Sequence, residues 1–250
     1  MFNILLFLLS MIYVYWAPPR KGKTYSCTDD ALRAMEEFHK KRKKDSNFKG
    51  RVFSNYPIKH PKLGFCDVWE PHMCEWPIYD SKIYIDEAYR DYNSRKHKMF
   101  SDDEHLFFST NGHNGNDINL IAQNPARIDL IIREMTDTFF YIKKMEIPLV
   151  GRPLWFTLDA YLSEDDFKRR HMDKEALYNR TRKIFKAKVA NAYNTHHFRK
   201  ACDQEPVFVN WGEKLDLDDP INENEKSRIK TVYDRLCNRV KSQELVSNEQ

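Results

Sequence analysis

The chain predicts an α/β fold with a mostly parallel sheet, and three observations support it. Apolar or β-branched runs alternate with helix-compatible stretches through most of the sequence. Ala17-Pro18-Pro19-Arg20-Lys21-Gly22-Lys23-Thr24 matches the pattern G-x-x-x-x-G-K-[ST] except at its first position, and it lies between an apolar run, Ile12 to Trp16, and a helix-compatible stretch, Tyr25 to Phe38. Lys82-Ile83-Tyr84-Ile85-Asp86-Glu87 is a short β-rich run ending in two carboxylates. Ligands of such sheets sit outside the carboxyl ends of the strands, and Thr24, Asp86 and Gln123 all fall there.

Strand, loop and helix in that order make a phosphate cradle. Backbone N–H groups of the loop and of the helix N-terminus face the anion. Pro18 and Pro19 carry no N–H, so the cradle is expected from Arg20, Lys21, Gly22, Lys23 and Thr24, flanked by Pro19 and Tyr25. Lys23 would reach the β- and γ-phosphate oxygens of ATP, and Thr24 would hold Mg²⁺. Asp86 would share the Mg²⁺, and Glu87 would activate the attacking water. Adjacent strand residues point to opposite faces, so both carboxylates serve one site only if the strand ends at Ile85. Ala17 stands at the pattern's first Gly, and a positive φ there would cost on the order of 1 kcal/mol or more.

Composition sets the bounds. The 250 residues are 41% hydrophobic, enough for an ordinary core, and the net charge of +4 is too weak to argue for nucleic acid by itself. Five scattered cysteines, an odd number, read as reduced thiols, and Cys66, His72 and Cys74 lack the CxxC pair a zinc site would bring. Residues 1–16 are almost wholly apolar. A membrane helix there is slightly short and would consume the strand before the loop, and a signal peptide lacks its basic start. A core strand from Ile12 behind an apolar extension is the favoured reading, with Met11 a second candidate start. The expected organisation is an extension over 1–10, a nucleotide-binding domain over 11–200 and a polar tail with one helix over 201–250.

The remaining elements follow in order. Ala31, Leu32, Met35 and Phe38 share a helical face that leads into Lys40-Lys41-Arg42-Lys43-Lys44, a run that either complements the helix dipole or meets phosphate. Arg51 to Tyr56 reads as a strand ended by Pro57, and Lys59 to Pro77 as a loop pinned by Phe65, Trp69 and Trp76. Ser101 and Glu104 form a capping box that opens a helix to about Thr110. Asp117 to Ala122 is a strand delivering Gln123, Ile128 to Met135 is a helix, and Thr138 to Lys143 and Leu154 to Tyr161 are strands. Ser163 caps a short helix, Glu175 to Tyr193 reads as helical, Glu205 to Pro220 as irregular, and Asn224 to Leu245 as a helix.

Taken together, the segments from Tyr13 to Tyr25, Val52-Phe53-Ser54-Asn55-Tyr56-Pro57, Ile85-Asp86-Glu87-Ala88, Leu120-Ile121-Ala122-Gln123-Asn124-Pro125 and Ala190-Asn191-Ala192-Tyr193-Asn194-Thr195 resemble the zonula occludens toxin-like (Zot-like) family, the morphogenesis ATPases of filamentous phages. The resemblance spans roughly Tyr13 to Arg199. It implies a P-loop NTPase core of the additional-strand type, with the strand ending in a polar sensor lying between the loop strand and the Asp-Glu strand. By position Gln123 resembles that sensor, and Arg127 and Arg133 are candidates for a finger that reaches a neighbouring subunit's nucleotide. The family implies ATP and Mg²⁺ as cofactors, a homo-oligomeric ring, and work at the cytoplasmic face of the host inner membrane. Single-stranded phage DNA or its coat complex would be the cargo, with an inner-membrane assembly partner. Typical members continue into a transmembrane helix and an exported domain, whereas this sequence continues into a polar helix. Two other functions fit the motifs: a viral DNA-packaging ATPase and a non-hydrolysing nucleotide-binding interaction module.

Overall fold

The computed structural model describes residues 11–94, 101–148 and 151–194. The readings made for residues 1–10, for the acidic stretch 205–220 and for the helix over 224–245 lie outside these. In chain order the elements are β1 (Ile12–Trp16), α1 (Lys23–Lys44), β2 (Val52–Ser54), β3 (Lys59–His60), β4 (Gly64–Phe65), β5 (Asp67–Val68) and β6 (Lys82–Ile85). They continue with α2 (Asp102–Ser109), α3 (Asn111–Asn114), β7 (Asp117–Ala122), α4 (Leu130–Glu134), β8 (Thr138–Glu146), β9 (Pro153–Tyr161), α5 (Glu164–Arg169), β10 (Asn179–Ile184) and α6 (Ala187–Ala190).

Eight strands form one sheet in the order β10-β9-β8-β1-β7-β6-β2-β5, and β3 pairs β4 in a small separate hairpin. From β5 to β8 every pairing is parallel; β9 and β10 are antiparallel. Strands covered on both faces are mainly apolar, and β1, β6 and β7 bury Val14, Ile83, Ile85, Ile118 and Leu120 completely. On one side these side chains join Phe53, Trp69, Phe107, Phe108, Phe139 and Phe167 in a single core. The register sets Trp16 beside Ala122 and Tyr141, and Ile85 beside Leu120. Ala17, Asp86 and Gln123 therefore leave the sheet along one edge.

Helix α1 buries Ala31, Leu32, Ala34, Met35 and Phe38. It continues through the basic run, with Lys41, Arg42, Lys43 and Lys44 in its last turn, where cations oppose the negative end of the dipole. Two of these are also engaged locally: Lys41 pairs with Glu37 at 2.8 Å, and Arg42 donates to the Gly50 carbonyl at 2.8 Å. The capping box of α2 is made in both directions, Glu104 N–H to Ser101 Oγ at 3.1 Å and Ser101 N–H to Glu104 Oε2 at 2.9 Å.

The helix expected over 175–193 is replaced by strand β10 and the short α6. Pairing with β9 decides this. Asn179 to Ile184 lie opposite Ala160 to Trp155, and the alternation puts Lys183 over α1, where its ammonium donates to the Ser26 carbonyl at 2.8 Å. The stretch read as a loop from Lys59 to Pro77 holds β3, β4, β5 and a 3₁₀ turn over Pro71–Glu75. Strand β8 runs on to Glu146, well past the end of β1. Among the described residues no helix is long and apolar enough to cross a membrane.

Candidate nucleotide site

The loop leaves β1 at Ala17 and enters α1 at Lys23. Gly22 has φ +92° and Arg20 φ +61°, the left-handed conformations that turn the chain into the helix. The described non-glycine residues at positive φ are Arg20, Asp80 and Glu87. Ala17 is not one of them, so it carries none of the strain that a left-handed Gly position would impose. It is fully buried. The first intrahelical bond runs from Ser26 N–H to the Gly22 carbonyl at 3.0 Å, so the amides of Lys23, Thr24 and Tyr25 have no acceptor within the helix.

Lys23 is 7% exposed and donates to the carbonyls of Ala17 at 3.0 Å and Pro18 at 3.4 Å. Burial pushes its ammonium down, while the charges of Asp86 and Glu87 pull it back. The Thr24 hydroxyl donates to Asp86 Oδ2 at 2.8 Å. The last residue of β6 is Ile85, as joint use of the two carboxylates requires, and Glu87 turns the chain with φ +51°. Glu87 N–H donates to the Asp86 carboxylate at 2.8 Å. Burial, reinforced by the Glu87 charge and opposed by the Thr24 hydrogen bond, pushes the Asp86 carboxyl up to about 6.

Gln123 Nε2 donates to Glu87 Oε1 at 2.9 Å, joining the ends of β7 and β6. The other oxygen, Oε2, is buried with no hydrogen-bond partner among the described residues. Arg127 is exposed, and its guanidinium lies 5.6 Å from the ring of Tyr89. Burial raises the phenol of Tyr89, and the nearby Glu87 carboxylate raises it further. Arg133 is differently placed. It donates to Glu164 Oε1 at 2.5 Å and to the Ile128 carbonyl at 3.1 Å, and its side chain is 14% exposed. The structure thus brings Lys23, Thr24, Asp86, Glu87 and Gln123 together. Arg127 stands at their margin, and Arg133 is tied to α5. The Tyr25 side chain is also turned away. Its hydroxyl accepts from Lys186 N–H at 2.7 Å and donates to the Ile184 carbonyl at 3.3 Å, which leaves only its amide for the cradle.

Sequence reasoning assigns no role to three residues that shape the site. Asn55, just after β2, binds the Asp86 backbone from both sides: Nδ2 to the Asp86 carbonyl at 2.9 Å, and Asp86 N–H to Oδ1 at 2.7 Å. Its position directly after a strand is the available signal. Trp16 donates its indole N–H to the Gln123 carbonyl, fixing the end of β7 to the loop strand. Phe156 of β9 lies against Gly22, where an added Cβ would overlap its ring. No local pattern points to that contact.

The zonular occludens toxin (Zot) family matches residues 11–189. The chain belongs to this family. No curated protein matches it. Among solved structures, the N-terminal domain of zonular occludens toxin from Neisseria meningitidis is similar, with TM-score 0.52 and 19% identity over 74% of this chain and 100% of that one. The genome packaging NTPase B204 from Sulfolobus turreted icosahedral virus 2, in complex with ATP-gammaS, gives TM-score 0.40 and 13% identity over 60% of this chain and 91% of that one. Its complex with AMPPCP gives TM-score 0.42 over the same shares. This Zot-family chain has the α/β P-loop NTPase fold, with β7 between β1 and β6 as the additional-strand arrangement requires.

Proposed function

We propose that this Zot-family protein is a Mg²⁺-dependent ATPase that drives filamentous phage assembly and export of single-stranded DNA. It would act as a homo-oligomeric ring at the cytoplasmic face of the host inner membrane. One observation carries the ATPase reading: Lys23 and Thr24 meet Asp86, Glu87 and Gln123 at the carboxyl ends of three adjacent strands.

The donor set fits the cofactors. Thr24 and Asp86 offer oxygens 2.8 Å apart, the hard ligands that Mg²⁺ takes, and the free amides of the α1 N-terminus suit phosphate. The unpaired Glu87 Oε2 is a buried acceptor awaiting a donor. Bound Mg²⁺ would supply charge neutralisation at the phosphates. The protein's own groups divide the remaining work. Lys23 leaves two loop carbonyls to lend its cation to phosphate oxygens. Asp86, once ionised, would hold the metal with Thr24. Glu87 takes a proton at Oε2 from the attacking water, while Gln123 holds Oε1 and so fixes the carboxylate's orientation. Arg127 is free to reach a neighbouring site, which favours it over Arg133 as the finger.

The export reading and its partners, phage DNA or its coat complex and an inner-membrane component, rest on family membership. The test of the ATPase reading is phosphate release with ATP and Mg²⁺, beside calorimetric titration of Lys23→Ala. Turnover by the parent and loss of detectable ATP binding in Lys23→Ala are expected. Unchanged affinity in the variant would remove the assignment.

A further inference from the structure

Strand β8 pairs β1 only as far as Tyr141, opposite Trp16, and then continues through Glu146. Those five further residues carry β8 about 16 Å beyond the end of β1. Strands β9 and β10 accompany it, so a three-stranded antiparallel arm stands beside the loop. One face of the arm is closed. Phe156 lies on Gly22, its ring 4.5 Å from that of Tyr25, and Lys183 reaches back to α1. The opposite face has three rungs: Tyr141, Asp159 and Arg180, where Trp16, Arg170 and His171 lie against the Tyr141 ring; and, open beyond it, Lys143, Thr157 and Arg182, then Met145, Trp155 and Ile184.

Charge on these rungs is one-signed toward solvent. Their one carboxylate, Asp159, is fully buried beneath two cations, with Lys143 Nζ at 2.8 Å and Arg180 Nε at 2.5 Å. Both cations keep about half their surface in water, at 52% and 49%. Arg182 is exposed and lies 5.9 Å from the ring of Trp155. Apolar groups are interleaved with the cations: Ile184 is 72% exposed, Met145 is 49% exposed, and Trp155 is half-buried. Rungs on one face repeat about every 7 Å, close to the spacing of successive phosphates in an extended single strand. Cations that track a backbone beside an aromatic surface are how proteins hold single-stranded nucleic acid without reading its sequence.

We propose that the open face of this arm binds single-stranded DNA, with Lys143, Arg180 and Arg182 on phosphates and Trp155 stacked on a base. The choice of DNA among polyanions rests on the motor reading; the argument from charge and ring does not. Phe156, on the strand between Lys143 and Arg182, touches the phosphate loop, so cargo and nucleotide lie on two faces of one strand.

The experiment is fluorescence anisotropy of a labelled oligothymidylate with the full-length protein, without nucleotide and across a salt series. Arg182→Glu should weaken binding about tenfold and flatten the salt dependence by roughly 0.7 in log–log slope for each phosphate no longer neutralised. Trp155→Ala should weaken binding roughly fivefold to a hundredfold, and Trp155→Tyr should restore it by keeping a ring. Melting curves matching the parent's confirm that each variant is folded. Parent-like affinity in both Arg182→Glu and Trp155→Ala would overturn the proposal. So would equal affinity for a duplex of the same length, or dissociation of a self-associated species by Arg182→Glu, which would assign the face to a second copy. Binding is read without nucleotide, so failure here leaves the ATPase reading standing, and failure of ATP turnover leaves this surface standing.

Discussion

Asp86→Asn should make the nucleotide-free protein more stable at neutral pH while it removes the proposed metal ligand. The Asp86 carboxyl titrates at about 6, against 3.8 for an ordinary aspartate, chiefly because of burial. A raised native value means that the folded state holds the proton more tightly than the unfolded chain. The stabilisation from that proton is complete below the unfolded value and is lost as pH rises through about 6. Above that pH the native state carries a poorly solvated carboxylate, at a cost of up to about 3 kcal/mol from a shift of about two units. Solvent at the open edge of the sheet screens part of this, so roughly 1–2 kcal/mol is the working figure. Asparagine carries no charge, its oxygen can accept from Glu87 N–H, and the Thr24 hydroxyl can rotate to accept from its amide. The assay is thermal unfolding of parent and variant without nucleotide or metal, at pH 8 and near pH 4. A gain of about 2–8 °C is expected at pH 8, vanishing near pH 4. No gain at pH 8, or the same gain at both, would refute the account of Asp86 as a strained carboxylate.

Glu87→Gln keeps the shape of the side chain and removes the proposed base. Turnover should fall by about 10²–10⁴-fold while ATP binding measured by calorimetry persists. Arg127→Ala should lose turnover without losing stability and regain it when mixed with Glu87→Gln chains. Arg133→Ala should instead lower the melting temperature, because it leaves Glu164 half-buried without the 2.5 Å partner it has now; equal melting temperatures for the two variants would reverse this. Asn55→Ala breaks both hydrogen bonds to the Asp86 backbone and should cost about 1–3 kcal/mol in urea unfolding. It should also weaken Mg²⁺-dependent ATP binding, and a variant with unchanged Mg²⁺ dependence would mean that Asn55 does not position the ligand.

Local chemistry made the parallel half of the fold legible. β1, β7 and the ends of β6 and α1 are written in short apolar runs broken by Gly22, Asp86 and Gln123, and each needs only its own few residues to be recognised. Meetings between distant segments were not legible. Asn55 acts on Asp86 because β2 and β6 are neighbours, an adjacency the linear order of residues does not contain. β10 misled for a related reason. Its residues are polar or charged except Ile184 and mostly exposed, so they show no apolar period, and only the register with β9 makes Asn179 to Ile184 a strand. Arg127 and Arg133 have equal claims in the sequence. They separate only when Glu164, some thirty positions on, is found in contact with one of them.

The sheet ends in two very different strands, and this bears on how copies can meet. β5 is two residues long, too short to template a further strand. β10 is six residues long, and its outer edge has no strand partner among the described residues. Arg180, Arg182 and Lys183 line it, and like charges set side by side oppose the addition of a second copy of the same strand. Growth by continuing the sheet from molecule to molecule, the route to fibrils and to open-ended aggregates, is therefore blocked at one end by brevity and at the other by repulsion. Copies that assemble would not do so by pairing these two edges, and a ring of the kind proposed above would not compete against a ribbon.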